Sequence, residues 1–533
     1  MRSLLPILVS TLGALALSAG LLATPAAAED IPRLARQGDT TQLLVDGKPF
    51  LILGGELGNS SASSLDYLAA QWPTLKALNL NTLLAPVSWD QIEPVEGRFD
   101  FTVVDGVIAQ ARAHDTRLVL LWFGSWKNSM SSYAPAWVKR DTTRFPRART
   151  AEGTALEILS PVSPANQAAD AKAFAALMAH LKAVDGERRT VIMVQVENEV
   201  GMIPQARDHA AQAEAEFKKP VPPALLKALG KTGSGDWETV FGTGPATEEL
   251  WQAWSFGRYV EAVAAAGKRA YPLPMYVNAA LNRPGAAPGG YPSAGPLPHL
   301  FEVWRAAAPS IDLQAPDIYF SDFTRRAAPY DRPGNPLFIP EANNAGKPEA
   351  PANALWAFGE HDAIGFSPFS IESVDQPENS SLSKAYALLD TLSPVILANR
   401  GQGTMRGFRP PVTFDGAVDD KAQEAVFGDW KLTVGFVDPW TPRDKQDVKT
   451  HGGLVIRLSP DEFLVAGAGI TLTFASTRPG EIAGIESVRE GRYENGVWRE
   501  GRWLNGDQTH QGRHVRLAPD GLDVQRVRLY RYR

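Results

Sequence analysis

Two short segments each end an apolar run with a glutamate: VIMVQVENEVG at 191–201 and PLFIPEANN at 336–344. Glu199 follows Asn198 in the first, and Glu341 follows Pro340 in the second. Carboxylates at the C-terminal ends of two parallel strands face one another across a barrel mouth. Two facing carboxylates suit cleavage of a glycosidic bond: one protonates the departing oxygen, the other attacks or stabilises the anomeric carbon. The proton donor must be neutral before cleavage and anionic afterwards. That calls for a carboxyl titrating near neutrality, raised by apolar walls or by its neighbour. The amide of Asn198 is suited to a sugar 2-hydroxyl, where contacts strengthen in the transition state. Glu197, two residues from Glu199, is expected to share its side of the strand. Its expected role is to anchor a neighbouring strand or a basic group inside the barrel.

These carboxylates need a rigid mount, and the chain supplies a repeating one. Apolar runs fall at 50–55, 81–87, 117–124, 191–196, 274–281, 311–319, 335–342 and 363–371, and helical periodicity separates several of them, as at 64–79, 101–115, 168–186 and 249–270. Near-continuous apolar runs are expected of parallel strands buried on both faces. Eight such units predict a (β/α)8 TIM barrel, an α/β fold, over residues 29–400. An open doubly wound sheet would show a Gly-rich phosphate turn after its first strand, and GGELGNSS (54–61) does not match one. Glu199 and Glu341 stand 142 residues apart, on strands four and seven. Pro73 is expected to kink or split the first helix. The Asp46-Gly47 pair predicts a hairpin turn. Strands three to five are widely spaced, so the loops at the catalytic face carry insertions.

After Arg400 the texture changes to alternating, β-branched runs, such as WKLTVGFV (430–437) and GGLVIRLS (452–459), broken by Asp, Gly and Pro. Residues 401–533 read as an antiparallel β-sandwich domain. Its expected role is to pack on the barrel, with carbohydrate binding as a second role. At the other end, residues 1–28 read as an export signal: Arg2, an apolar stretch from Leu4 to about Leu22, then Ala26-Ala27-Ala28. The mature chain is thus expected in the periplasm or outside the cell, without stable membrane insertion.

Composition narrows the chemistry further. Removal of residues 1–28 takes the formal charge from −6 to −7, and no basic stripe is available to neutralise nucleic-acid phosphates. The chain has no cysteine, which excludes disulfides, thiolate metal sites and a thiol nucleophile. No HExxH or paired-His spacing occurs, DGAVDD (415–420) lacks an EF-hand layout, and no G-x-S-x-G elbow is present. Neither a metal nor a cofactor is expected. No oligomeric state is read from the sequence.

Asn-Glu after strand four with Glu after strand seven resembles the large clan of retaining glycosidases built on (β/α)8 barrels. Within it, QVENEVG (195–201) resembles the Q-[IV]-E-N-E-[YF]-G segment of glycoside hydrolase family 35 β-galactosidases, and SWDQIEPVEGRFDF (88–101) resembles that family's segment after strand two. GGELGNSS occupies the place of the family's first-strand substrate loop. The likeness is to a bacterial subgroup with an appended C-terminal β-domain. It implies that Glu199 is the acid/base and Glu341 the nucleophile. Two segments depart from the family: FGSWKNSMSSYAPAW (123–137) stands for a signature around Ala-Glu-Trp, and Leu57-Gly58-Asn59 for Ile-His-Tyr.

By position, Glu56 and Asn59 after strand one are candidate sugar contacts. So are Trp122, Trp126, Lys127 and Asn128 around the end of strand three; Glu372 after strand eight is a further candidate. Tyr319 ends strand six, and in the wider clan a tyrosine there tunes the nucleophile. Aromatic faces stack on sugar rings while amides and charged groups read hydroxyls. The resulting expectation is an exported retaining exo-β-glycosidase acting by double displacement on an oligosaccharide. The resemblance favours a β-galactosidase releasing terminal galactose from plant cell-wall oligosaccharides such as xyloglucan fragments. The alternatives are arabinosyl, glucosyl or glucosaminyl specificity, or a non-catalytic sugar-binding protein.

Overall fold

The computed structural model describes residues 31–343 and 345–533. The expected export signal lies outside the described residues. Among those described, no helix is long and apolar enough to cross a membrane.

Eight parallel strands close into a barrel: β1 (Ile52–Glu56), β2 (Thr82–Ser88), β3 (Arg117–Lys127), β4 (Val191–Asn198), β5 (Met275–Ala280), β6 (Leu313–Ile318), β7 (Phe338–Ala342) and β8 (Gly365–Pro368). Closure is made where Gly365 of β8 pairs with Ile52 of β1. All eight predicted runs are the eight strands. Period two is present but masked, because both faces are apolar. In β3, Val119, Leu121 and Phe123 point into the barrel, while Leu118, Leu120 and Trp122 pack beneath the helices.

The surrounding helices are α1 (Leu65–Ala77), α2 (Thr102–Ala113), α3 (Pro164–Asp185), α4 (Pro245–Ala270), α5 (Phe301–Ala307), α6 (Phe323–Ala327), α7 (Ala350–His361) and α8 (Ser381–Asn399). Ser64 caps α1 by accepting from the Tyr67 N–H, and α1 runs unbroken through Pro73. The expected split there does not occur: the helix buries Leu68, Trp72 and Leu75 on one side, and that packing holds it together across the proline. Ser163 caps α3 with Pro164 at its first position, where a missing N–H costs nothing. The long loops carry small elements at the C-terminal face, including a hairpin of Arg147–Arg149 with Ala155–Leu159 and short helices at Ala211–Phe217, Pro223–Ala228 and Trp237–Phe241.

The floor of the barrel is plugged. Strand Thr40–Val45 pairs with Lys48–Phe50 across Asp46 and Gly47, both at positive φ, as the predicted hairpin turn requires. Leu43 and Val45 of this hairpin join the interior core with Ile192, Phe338 and Ile364. Asp46 accepts from Arg117 and Arg189, fastening the plug to the entry ends of β3 and β4.

The C-terminal part holds two antiparallel sheets. One has the order β9 (Met405–Phe408), β12 (Gly452–Ser459), β13 (Glu462–Ala468), β18 (Asp523–Tyr532), β15 (Ile482–Glu494), β16 (Val497–Leu504). The other runs β10 (Gln423–Phe427), β11 (Trp430–Gly435), β14 (Ile470–Ser476), β17 (Val515–Leu517). Alternation decides what each face meets. Val455, Phe463, Val465 and Val527 pack against Trp430, Leu432 and Leu472 of the smaller sheet. Their neighbours Leu454, Ile456, Leu464 and Ala466 belong instead to the barrel's outer core. The larger sheet is therefore apolar on both faces, sandwiched between its partner sheet and α7.

Leu464 is fully buried at that junction. Leu464→Ala is expected to cost about 2–5 kcal/mol, the range for a truncated core leucine. Urea denaturation followed by both fluorescence and circular dichroism checks this, and a loss below about 0.5 kcal/mol would mean that the two parts do not share a core.

Candidate active site

The C-terminal end of β4 leaves regular strand geometry. Glu197 and Glu199 both adopt positive φ, 61° and 44°, a conformation costly for residues other than glycine. Both are held by partners. The Glu199 N–H donates to Asn278 Oδ1 of β5 at 2.9 Å, and Glu197 Oε2 accepts from the Trp126 N–H at 2.8 Å. The two reversals break the alternation that would put both carboxyls on one side. Glu199 turns into the mouth. Glu197 turns away from it, toward Asp170 of α3, and so does not share the side of Glu199 as expected.

Glu197 anchors β3, as expected, but its other partner is an acid and not a basic group. Asp170 accepts from Trp122 Nε1 and from the Ser125 N–H. Burial first, and then Asp170, hold the Glu197 carboxyl well above the usual range, so it keeps its proton. A Cβ on Gly124 would fall 2.3 Å from Trp122 Nε1 and 2.7 Å from Glu197 Oε1, so only glycine fits beside this pair.

In the mouth, one carboxylate oxygen each from Glu199, Asp317 and Glu341 lies within 4.8 Å of the others. Glu56, at the end of β1, is 1% exposed and faces Glu341. Tyr319 donates its hydroxyl to Glu341 Oε1, and Asn128 donates its amide to Glu199 Oε2. Asn278 Nδ2 donates to Asp317 Oδ2 at 2.6 Å. Lys127 is the cation facing Glu56 and Glu341. Burial, then Glu199, push Glu341 up to about 7, against the opposing pull of Lys127 and the Tyr319 hydroxyl. Burial and the neighbouring carboxylates hold Glu56 and Asp317 well above the usual range. Three carboxylates this close have the spacing of a cation site. The donors on their oxygens, and the raised proton affinity of Asp317 and Glu341, make this a proton-handling cluster.

Of the residues singled out by sequence, Glu56, Lys127, Asn128, Glu199, Tyr319 and Glu341 come together here. Asn198 is fully buried between Glu197 and Glu199, and neither of its side-chain polar atoms has a partner among the described residues. Asn59 leaves its Oδ1 similarly unpaired. Trp126 is a correction: it is fully buried, its ring packs edge-on against Phe256 and Tyr259, and its indole N–H donates to Leu159 O. It is a core residue, not a sugar contact. Trp122 is likewise spent on Asp170 and Phe174. Glu372 holds the loop after β1 by accepting from the Gly58 N–H and the Ser61 hydroxyl.

Asp317 and Asn278 were missed. Asp317 carries the signal that marked Glu199 and Glu341, a polar residue near the end of an apolar run, at PDIY, whereas Asn278 sits inside its run at YVNAA and carries no such signal. The SWDQIEP segment is structural. Glu93 accepts from Trp89 Nε1 and from the Gly97 N–H, closing the loop after β2.

Residues 67–238 match the model of glycoside hydrolase family 42, described as "Beta-galactosidase". The match takes in Glu199 and ends before Glu341. It points to family 42 and not to the family 35 that QVENEVG and SWDQIEP resemble. Residues 382–516 match a "Domain of unknown function (DUF5597)". A β-galactosidase of Xanthomonas manihotis is 31% identical over 245 residues, which is 44% of this chain. The chain thus covers 37% of the length of that relative. Among solved structures, a β-galactosidase from Rahnella sp. R3 is similar at a TM-score of 0.46 and 16% identity, over 69% of this chain and 58% of its own. The catalytic domain of a β-amylase from Paenibacillus polymyxa is similar at 0.44 and 12%, over 61% of this chain and 94% of its own.

The raised Glu341 value has a consequence for stability. The folded chain holds this proton more tightly than the unfolded chain, where the carboxyl titrates near 4.5. The contribution is complete below about 4.5 and is lost as pH rises through about 7. The free energy of unfolding is expected to decline over that window. Glu341→Gln, which cannot ionise, should flatten the decline in denaturant titrations across pH; an unchanged slope would contradict the assignment.

Proposed function

We propose that the chain is a retaining exo-β-glycosidase, and that its substrate is a terminal β-galactoside. The observation that carries this reading is the approach of Glu199 and Glu341 to within 4.8 Å at the C-terminal mouth of the barrel. Retaining enzymes hold their carboxyls about 5–5.5 Å apart, and inverting enzymes need about 6.5–9.5 Å to admit water. The family 42 match and the Xanthomonas manihotis relative support a β-galactoside. Plant cell-wall oligosaccharides such as xyloglucan fragments, met in the periplasm or outside the cell after removal of residues 1–28, complete the proposal.

Glu341 Oε attacks the anomeric carbon as the bond to the leaving oxygen breaks, and Glu199 gives that oxygen its proton. The product of this step is a sugar ester on Glu341. Glu199, now anionic, takes a proton from water, whose oxygen displaces Glu341 and releases the sugar with its configuration retained. Tyr319 and Lys127 favour the anionic form of Glu341 that the attack requires. Asn198, whose side-chain polar atoms have no partner among the described residues, takes the 2-hydroxyl in this reading.

Proton NMR of the first product formed from an aryl β-galactoside is expected to show the β anomer; the α anomer would overturn retention. Glu341→Gly should lower turnover by roughly 10⁴-fold or more while leaving the fold intact. If activity persists, the nucleophile lies elsewhere. Since Lys127 favours the Glu341 anion, Lys127→Met should move the acid limb of the kcat/KM profile to higher pH. A limb that stays in place or moves down would show that Lys127 does not act on Glu341.

A further inference from the structure

The C-terminal domain touches the barrel a second time, at the rim of the mouth. Residues 412–418 form a tight hairpin, with Val412 bridged to Val418 and the Thr413 N–H donating to Ala417 O at 2.8 Å. It projects Phe414 onto Phe320, ring centroids 5.2 Å apart. Phe320 is the residue after Tyr319, whose hydroxyl holds Glu341. Arg326 covers both rings, at 4.8 Å from Phe320 and 5.9 Å from Phe414. The same guanidinium donates to Asn282 O in the loop after β5, and it pairs with Asp322. The loops after β5 and β6 and the C-terminal domain thus meet at one point. Both phenylalanines are only partly buried there.

The side on which this point lies is informative. The Glu199 backbone is held by Asn278 of β5, and its carboxyl meets Asp317 of β6. A proton donor must stand beside the leaving oxygen, so the ring carrying that oxygen extends over the sector that Glu199 faces. That sector is rimmed by the loops after β5 and β6. The two rings are tilted by 55° and form a partly exposed aromatic corner at this rim, in which a single ring face suits the C–H face of a pyranose.

We propose that Phe414 of the C-terminal domain, with Phe320, forms the subsite for the leaving-group sugar, so that the two domains build one substrate cleft. The class of ligand is the second pyranose of an oligosaccharide. The proposal rests on the glycosidase reading, and the experiment separates the two. Full-length wild type and Phe414→Ala are compared on two substrates with the same glycone: a glycosyl fluoride, whose leaving group has no ring, and an oligosaccharide. The ratio of kcat/KM for the oligosaccharide to that for the fluoride is expected to fall about tenfold in Phe414→Ala, the scale of one lost aromatic contact. Phe414→Trp should preserve the ratio, and thermal melting shows whether each variant is folded. A ratio unchanged in Phe414→Ala, with both rates equal to wild type or both lowered together, overturns the subsite and leaves the glycosidase reading standing. A wild type that turns over neither substrate overturns both.

Discussion

Four carboxyl groups, those of Glu56, Glu199, Asp317 and Glu341, crowd into one buried pocket with Lys127 as the cation facing two of them. Charge in such a place is costly, and each ionised carboxyl raises the cost of the next. The cluster must therefore retain protons. Everything beneath it serves to keep that crowding in place. The interior is filled by Val119, Leu121, Phe123, Ile192 and Phe338, and the floor is closed by Leu43 and Val45, so the pocket has apolar packing below and opens at the mouth. Donors from three directions, Asn128, Asn278 and Tyr319, then fix which oxygen Glu199, Asp317 and Glu341 present.

The end of β4 is where the barrel departs from regularity to make this possible. A strand continuing in register would have turned Glu197 and Glu199 to the same side. Positive φ at both residues costs of order 1–2 kcal/mol each. It is offset by the amide of Asn278 and by the carboxyl of Glu197 closing on the Trp126 N–H. The result sends one glutamate to the mouth, one to the wall, and leaves Asn198 buried between them with its side-chain polar atoms unpartnered among the described residues.

The fold was legible because strands buried on both faces leave unbroken apolar runs, and all eight did so. The main carboxylates were legible for a related reason: a charged residue ending such a run has few places to be except the barrel's end. What failed was direction. Trp126 lies one residue from Lys127, yet it packs outward against Tyr259 while Lys127 faces Glu341. Side chains alternate within β3, so nearness to the site in sequence does not give the face. Glu197 was misdirected because its left-handed backbone is set by Trp126 and Asp170, which are distant in sequence. Asp317 was overlooked although its strand ends in the same way as β4 and β7. Only the folded barrel shows that it shares their pocket.

The eighth helix belongs to two bodies at once. Tyr386 of α8 donates its hydroxyl to Gly54 O and Phe366 O, stapling β1 to β8 at the seam where the barrel closes. The segment that matches the domain of unknown function begins at Leu382, inside that helix, and runs on through the sheets. The boundary of likeness and the boundary of shape therefore do not coincide. A lineage that exchanged this C-terminal module for another would lose the stave that shuts its barrel, unless the replacement brought an equivalent helix. Barrel and appendage thus share one helix that neither can give up alone.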